Sequence, residues 1–228
     1  TTKLKDVPRN RTLVISNIAG SEGRFPDYDL WNPYAIGANH QTGPNVVYEP
    51  LAFFSAFGDK MIPWLATKWE FNATSTELTI NLRKGVKWSD GEEFNADDVV
   101  YTLNELKKLK EAVRWGVNVA SVLDRAEKTD SNTVKVFLTR PDPRFFYFMA
   151  YKFDIGLYIV PQHIYQGQDW TTFKAFDVAK GLPVTTSPWK VVVGSPEQKI
   201  IDRRDSWWGV GQADLGQFVD GDLACLGP

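Results

Sequence analysis

This sequence is poor in the residues that usually carry chemistry. It has one cysteine, Cys225, so no disulfide can close within the chain and no metal site can be built from thiolates. Only two histidines occur, His40 and His163, too few and too far apart in sequence to suggest a metal centre or a histidine base beside a nucleophile. No G-x-S-x-G elbow, phosphate-binding loop or dinucleotide glycine pattern is present. The adjacent acidic pairs Glu92-Glu93 and Asp97-Asp98 point in different directions on any regular element, so they read as a solvated turn and a helix cap. The residues therefore predict no catalytic group, no metal and no cofactor. A formal net charge of −2 lacks the basic footprint of a nucleic-acid partner. No apolar run reaches the length of a membrane span. The polar opening Thr1-Thr2-Lys3-Leu4-Lys5-Asp6 has no apolar leader core, which fits either a cytosolic chain or an exported one whose leader has been removed.

What the sequence has is aromatic rings. They make up 14% of the residues, with nine tryptophans spread along the whole length. Such rings build cores, and they also line ligand clefts, where a flat apolar face suits the C–H side of a sugar.

Periodicity outlines the elements. Residues 12–16 are apolar and β-branched, as in a buried strand. Residues 17–45 form a long aromatic loop rich in glycine and proline, and loops of that length usually have a function. Residues 44–54 suggest a short helix broken by Pro50. Strands are predicted at 67–71 and 77–82, where Leu78, Ile80 and Leu82 alternate with polar residues. Asp90-Gly91 marks a turn and Asn95 an N-cap. Asp97 and Asp98 fall in the first helical turn, Val99, Val100, Leu103 and Leu106 form an apolar stripe, and Lys107, Lys108 and Lys110 lie near the helix end. Further on, strands are expected at 119–126 and 133–138 and helices at 143–151, 161–165 and 170–178. A hairpin over 189–193 and 198–202 completes the pattern.

The segment Leu82-Arg83-Lys84-Gly85-Val86-Lys87-Trp88, with Asp90-Gly91, Phe94, Ala96 and Asp98-Val99-Val100, resembles the signature of the family 5 extracellular solute-binding proteins. Tyr48-Glu49-Pro50-Leu51, Pro63-Trp64-Leu65-Ala66, Val160-Pro161-Gln162-His163, residues Pro183 to Lys190, and Arg203-Arg204-Asp205-Ser206-Trp207-Trp208-Gly209 are similar to further family stretches in the same order. Two departures stand out. Thr185 and Ser187 replace glycines usual in the family, and residues 210–228 resemble nothing in it.

The resemblance implies an α/β (α+β) fold like that of type II periplasmic binding proteins, present in part. Residues 1–45 and 165–209 would build part of the first lobe and 46–164 a small inserted domain. The second lobe would be missing, and 210–228 would form an atypical tail. It also implies the substrate-binding component of an ABC importer, capturing an oligosaccharide or oligopeptide outside the cytoplasmic membrane for a membrane permease. The mature protein would be periplasmic or extracellular, with a lipid tether as one variant. Without a second wall, weak or absent binding is expected. Within the aromatic loop, Trp31, Asn32 and Tyr34 are expected to contact ligand, Trp31 by stacking and Asn32 by hydrogen bonding, and Trp189, outside the loop, is expected to approach the cleft as well. The competing reading is a freestanding carbohydrate-binding module with a preformed aromatic groove. An inactive fragment and a glycosidase-type enzyme are further alternatives, and the last lacks an evident close carboxylate pair.

Overall fold

Strands β1 (Thr12–Ile15), β2 (Ala52–Ser55), β3 (Lys60–Pro63), β4 (Ala66–Phe71) and β5 (Glu77–Leu82) alternate with few helical residues, of which α1 (Pro44–Val47) is the first. Next come α2 (Ala96–Leu109), α3 (Gly116–Ala120), β6 (Leu123–Asp130), β7 (Thr133–Leu138), α4 (Phe145–Met149), α5 (Gln162–Tyr165), β8 (Trp189–Gly194) and β9 (Lys199–Arg203). This computed structural model describes the backbone of residues 12–15, and residues 24–152 and 156–210 in full. Ser16, residues 17–23 of the long loop, Cys225 and the stretch 211–228 lie outside the described residues.

A four-stranded antiparallel sheet, ordered β4-β5-β7-β6, forms the centre of the 46–164 segment. Its register sets Leu78 opposite Val136 and Ile80 opposite Val134, and all four are fully buried. The period-2 pattern of β5 and β7 thus places one face against the core. Helix α2 covers that sheet with Val99, Leu103 and Leu106. Its start follows the sequence signal closely. The Asn95 side chain accepts from the Asp97 N–H at 2.7 Å, while Asp98 accepts from the Asn95 N–H at 3.0 Å, a reciprocal capping box. Gly91, at φ +101°, supplies the left-handed residue of the preceding turn.

A second, three-stranded antiparallel sheet is ordered β1-β9-β8, so residues 12–15 pair with the distant 199–202. A two-stranded ribbon, β2-β3, is hydrogen-bonded into neither sheet but packs against the common core through Ala52 and Met61.

The short helix expected to open 44–54 and to break at Pro50 is α1, which stops at Val47, and beyond Pro50 the segment Ala52–Ser55 pairs as a strand with Lys60–Pro63. Two other sequence expectations fail for identifiable reasons. The strand predicted from residue 119 starts at Leu123. Val119 belongs to α3, where it is buried, and Gly116 is needed because a Cβ there would come within 2.0 Å of the Lys110 carbonyl oxygen. Close packing of this turn on α2 overrides the β-branched preference. The helix predicted over 170–178 is absent apart from one 3₁₀ turn, Val178–Lys180. Its carbonyls are taken by other donors: Lys174 O accepts from Trp31 N and Asn32 N, and Trp170 O and Phe173 O accept from the Asn32 side chain.

Candidate solute-facing site

The residues singled out in the aromatic loop lie inside the protein. Trp31, Asn32 and Tyr34 are all 0% exposed. Asn32 Nδ2 donates to Trp170 O at 2.9 Å and Phe173 O at 3.0 Å, while its Oδ1 accepts from Tyr34 N at 3.0 Å. The Tyr34 ring stacks on Trp170 at 5.3 Å, and its hydroxyl donates to Tyr158 O. Trp31 covers the ammonium of Lys199, which is buried against Asp27 at 3.3 Å. The loop thus fastens residues 170–176 to the core, and direct ligand contact by these three side chains finds no support in their placement. Trp189 differs, keeping a partly exposed ring.

A different set of side chains forms an open aromatic site. Glu49 follows α1 and is 5% exposed. Its Oε1 accepts from Trp64 Nε1 and its Oε2 from Trp208 Nε1, both at 2.9 Å, and the Thr186 hydroxyl is a third donor. Burial holds this carboxyl above its usual range, while the three donors and the nearby Arg204 guanidinium oppose the shift. Arg83 Nε donates to Trp64 O at 2.8 Å, and its guanidinium lies 5.3 Å from the centre of the Trp208 ring.

Trp207 completes a three-indole cluster. Ring centres are 6.0 Å apart for Trp64–Trp207, 5.6 Å for Trp64–Trp208 and 5.0 Å for Trp207–Trp208. All three rings are partly exposed. Trp88, Thr186, Arg204 and Ser206 join Trp207 and Trp208 around an open depression of about 300 Å³. Arg204 is buried enough that its guanidinium falls to about 10, although Glu49 and Asp90 pull it the other way. It donates to Thr185 O at 2.9 Å and Thr185 Oγ1 at 2.7 Å.

These contacts give Thr185 a role that glycine could not fill. Neither Thr185 nor Ser187 takes a positive φ, so both side chains are accommodated without left-handed backbone. Ser187 Oγ accepts from the Trp189 N–H at 3.2 Å.

In the sequence, Glu49, Trp64, Trp207 and Trp208 stand out only as family markers. The paired tryptophans and a glutamate among apolar residues were the available signals, but their convergence depends on three distant segments. Among the described residues, no group of three or more His, Cys, Asp or Glu side chains converges as a metal site would require. A second depression of about 310 Å³ lies between α3 and α4, lined by Val122, Phe145 and Phe148 with Arg144 and Lys152 among its polar members. The three-indole site offers flat aromatic faces edged by cations, groups that can stack on a solute and hydrogen-bond it.

Residues 60–219 match the family described as bacterial extracellular solute-binding proteins, family 5 Middle, and the chain belongs to this family. The match runs past Gly209, into the stretch expected to be unlike the family. A dipeptide-binding protein of Escherichia coli K12 is 30% identical over 159 residues, covering 63% of this chain and 29% of the relative. The periplasmic oligopeptide-binding protein of Thermotoga maritima, crystallised with bound mannohexaose, is 32% identical with a TM-score of 0.59, covering 72% of this chain and 29% of that one. NikA from Brucella suis, in complex with Fe(III)-EDTA, is 26% identical with a TM-score of 0.64, covering 78% and 34%. The fold is accordingly a part of the type II periplasmic binding protein fold, and the chain spans about three tenths of these relatives' length. No helix among the described residues is long and apolar enough to cross a membrane.

Proposed function

We propose that this chain forms one wall of the solute cleft in the binding component of an ABC importer, working outside the cytoplasmic membrane and delivering its ligand to a membrane permease. The observation that carries this reading is the partly exposed indole cluster Trp64, Trp207 and Trp208, edged by Arg83 and Arg204. Its chemistry suits an oligopeptide or an oligosaccharide, and relatives described as binding a dipeptide and mannohexaose support both classes. In this reading β1, β8 and β9 belong to the first lobe, and 46–164 is the inserted domain. Trp31, Asn32 and Tyr34 tie the aromatic loop to residues 158 and 170–176, while Trp189 remains a candidate for the rim of the wall. Export with removal of a leader, with or without a lipid tether, belongs to the same proposal.

Affinity in a cleft comes from burying most of the ligand surface, and one open wall buries only a side of it. The 228-residue polypeptide alone is therefore expected to bind weakly. Saturation-transfer NMR with millimolar mannohexaose and, separately, short peptides should show contacts that fall away in Trp207→Ala and Trp208→Ala. No transfer from either ligand class would count against the wall, and micromolar binding measured by calorimetry would count against its one-sidedness.

A further inference from the structure

We propose that Glu49 is a positioning residue of the solute-facing wall, whose carboxyl group orients the Trp64 and Trp208 indoles before ligand arrives. The inference rests on the wall reading above and adds the device that shapes it. Neither ring sits on a regular element: Trp64 lies between β3 and β4, and Trp208 follows β9. Both are partly exposed, so packing confines only part of each ring. What ties them together is one buried side chain from a third segment, with one oxygen serving each N–H. Two indole donors facing separate oxygens require a group with two acceptors and no donor between them, which a carboxylate supplies and an amide does not. Arg83 adds a second tie, bonding the Trp64 carbonyl and lying over the Trp208 ring. Trp207 is a built-in contrast. It belongs to the same cluster, yet its buried Nε1 has no partner among the described residues.

The test uses the exciton couplet that closely spaced indoles produce in far-ultraviolet circular dichroism, measured on the full 228-residue chain without ligand. Trp64→Phe and Trp208→Phe calibrate each ring's share. Glu49→Gln can accept from only one of the two indoles, so the other ring loses its fixed orientation and most of the couplet arising from the Trp64–Trp208 pair should disappear. Glu49→Asp keeps both acceptors and should restore part of it. An unchanged couplet in Glu49→Gln would overturn the proposal, since packing alone would then hold the rings. Should that variant not fold, indole N–H exchange in the unsubstituted protein decides. Trp64 and Trp208 are expected to exchange about tenfold more slowly than Trp207, and equal rates would overturn the proposal. Because the couplet is read without ligand, absent binding of mannohexaose counts against the wall and not against Glu49.

Discussion

The sheet β4-β5-β7-β6 and the aromatic loop at residues 24–43 are ordered by opposite means. In the sheet, each strand pairs with backbone partners and its alternating side chains select the buried face. In the loop, order comes from single side chains satisfying backbone groups far away in sequence, Asn32 on Trp170 and Phe173 being the clearest case. A repeating pattern shares its stabilisation among many equivalent contacts. A loop of this kind concentrates it in a few buried polar groups whose loss leaves partners unsatisfied.

The largest effect should come from the sheet itself. Ile80→Ala removes a fully buried side chain opposite Val134 and should cost about 2–5 kcal/mol, read from urea unfolding. Asn32→Ala strips the donors from two carbonyls and the acceptor from Tyr34 N, at about 1–3 kcal/mol. Hydrogen exchange should then quicken around residues 31–34 and 170–176 while the four-stranded sheet keeps its protection. Equal loosening of both regions would break the comparison. Asn95→Ala removes the cap of α2 at a cost of about 1 kcal/mol, seen as a lowered thermal midpoint.

The smallest effect is a pH dependence at Glu49. Its folded-state pKa lies above the unfolded value, so its favourable contribution is complete below about pH 4.3 and is lost as pH rises through the folded pKa. The stability of the unsubstituted protein relative to Glu49→Gln should therefore fall as pH rises across that window. A difference that stays flat or grows with pH would show that burial does not dominate at this carboxyl.

How much was legible follows the same division. The strand at 77–82, the Asp90-Gly91 turn and the Asn95 cap were readable because each is specified by neighbours within a few residues. The helix expected over 170–178 was misread because its carbonyls are claimed by Trp31 and Asn32, which no local window contains. The candidate wall was hidden for the same reason: Glu49, Trp64 and Trp208 come from three segments, and each alone looked like a family marker.

By itself, then, the sequence determined most strands of the central sheet, its capped helix and membership of the solute-binding family, because period, turn and cap are short-range properties of the chain; the joining of β5 to β7 into one sheet was left to the tertiary structure. Only the tertiary structure decided which aromatic rings are core and which stay partly exposed. Burial of a tryptophan depends on what packs against it, and that cover comes from residues a hundred or more positions away: Phe176 on Trp31, Glu49 behind Trp208.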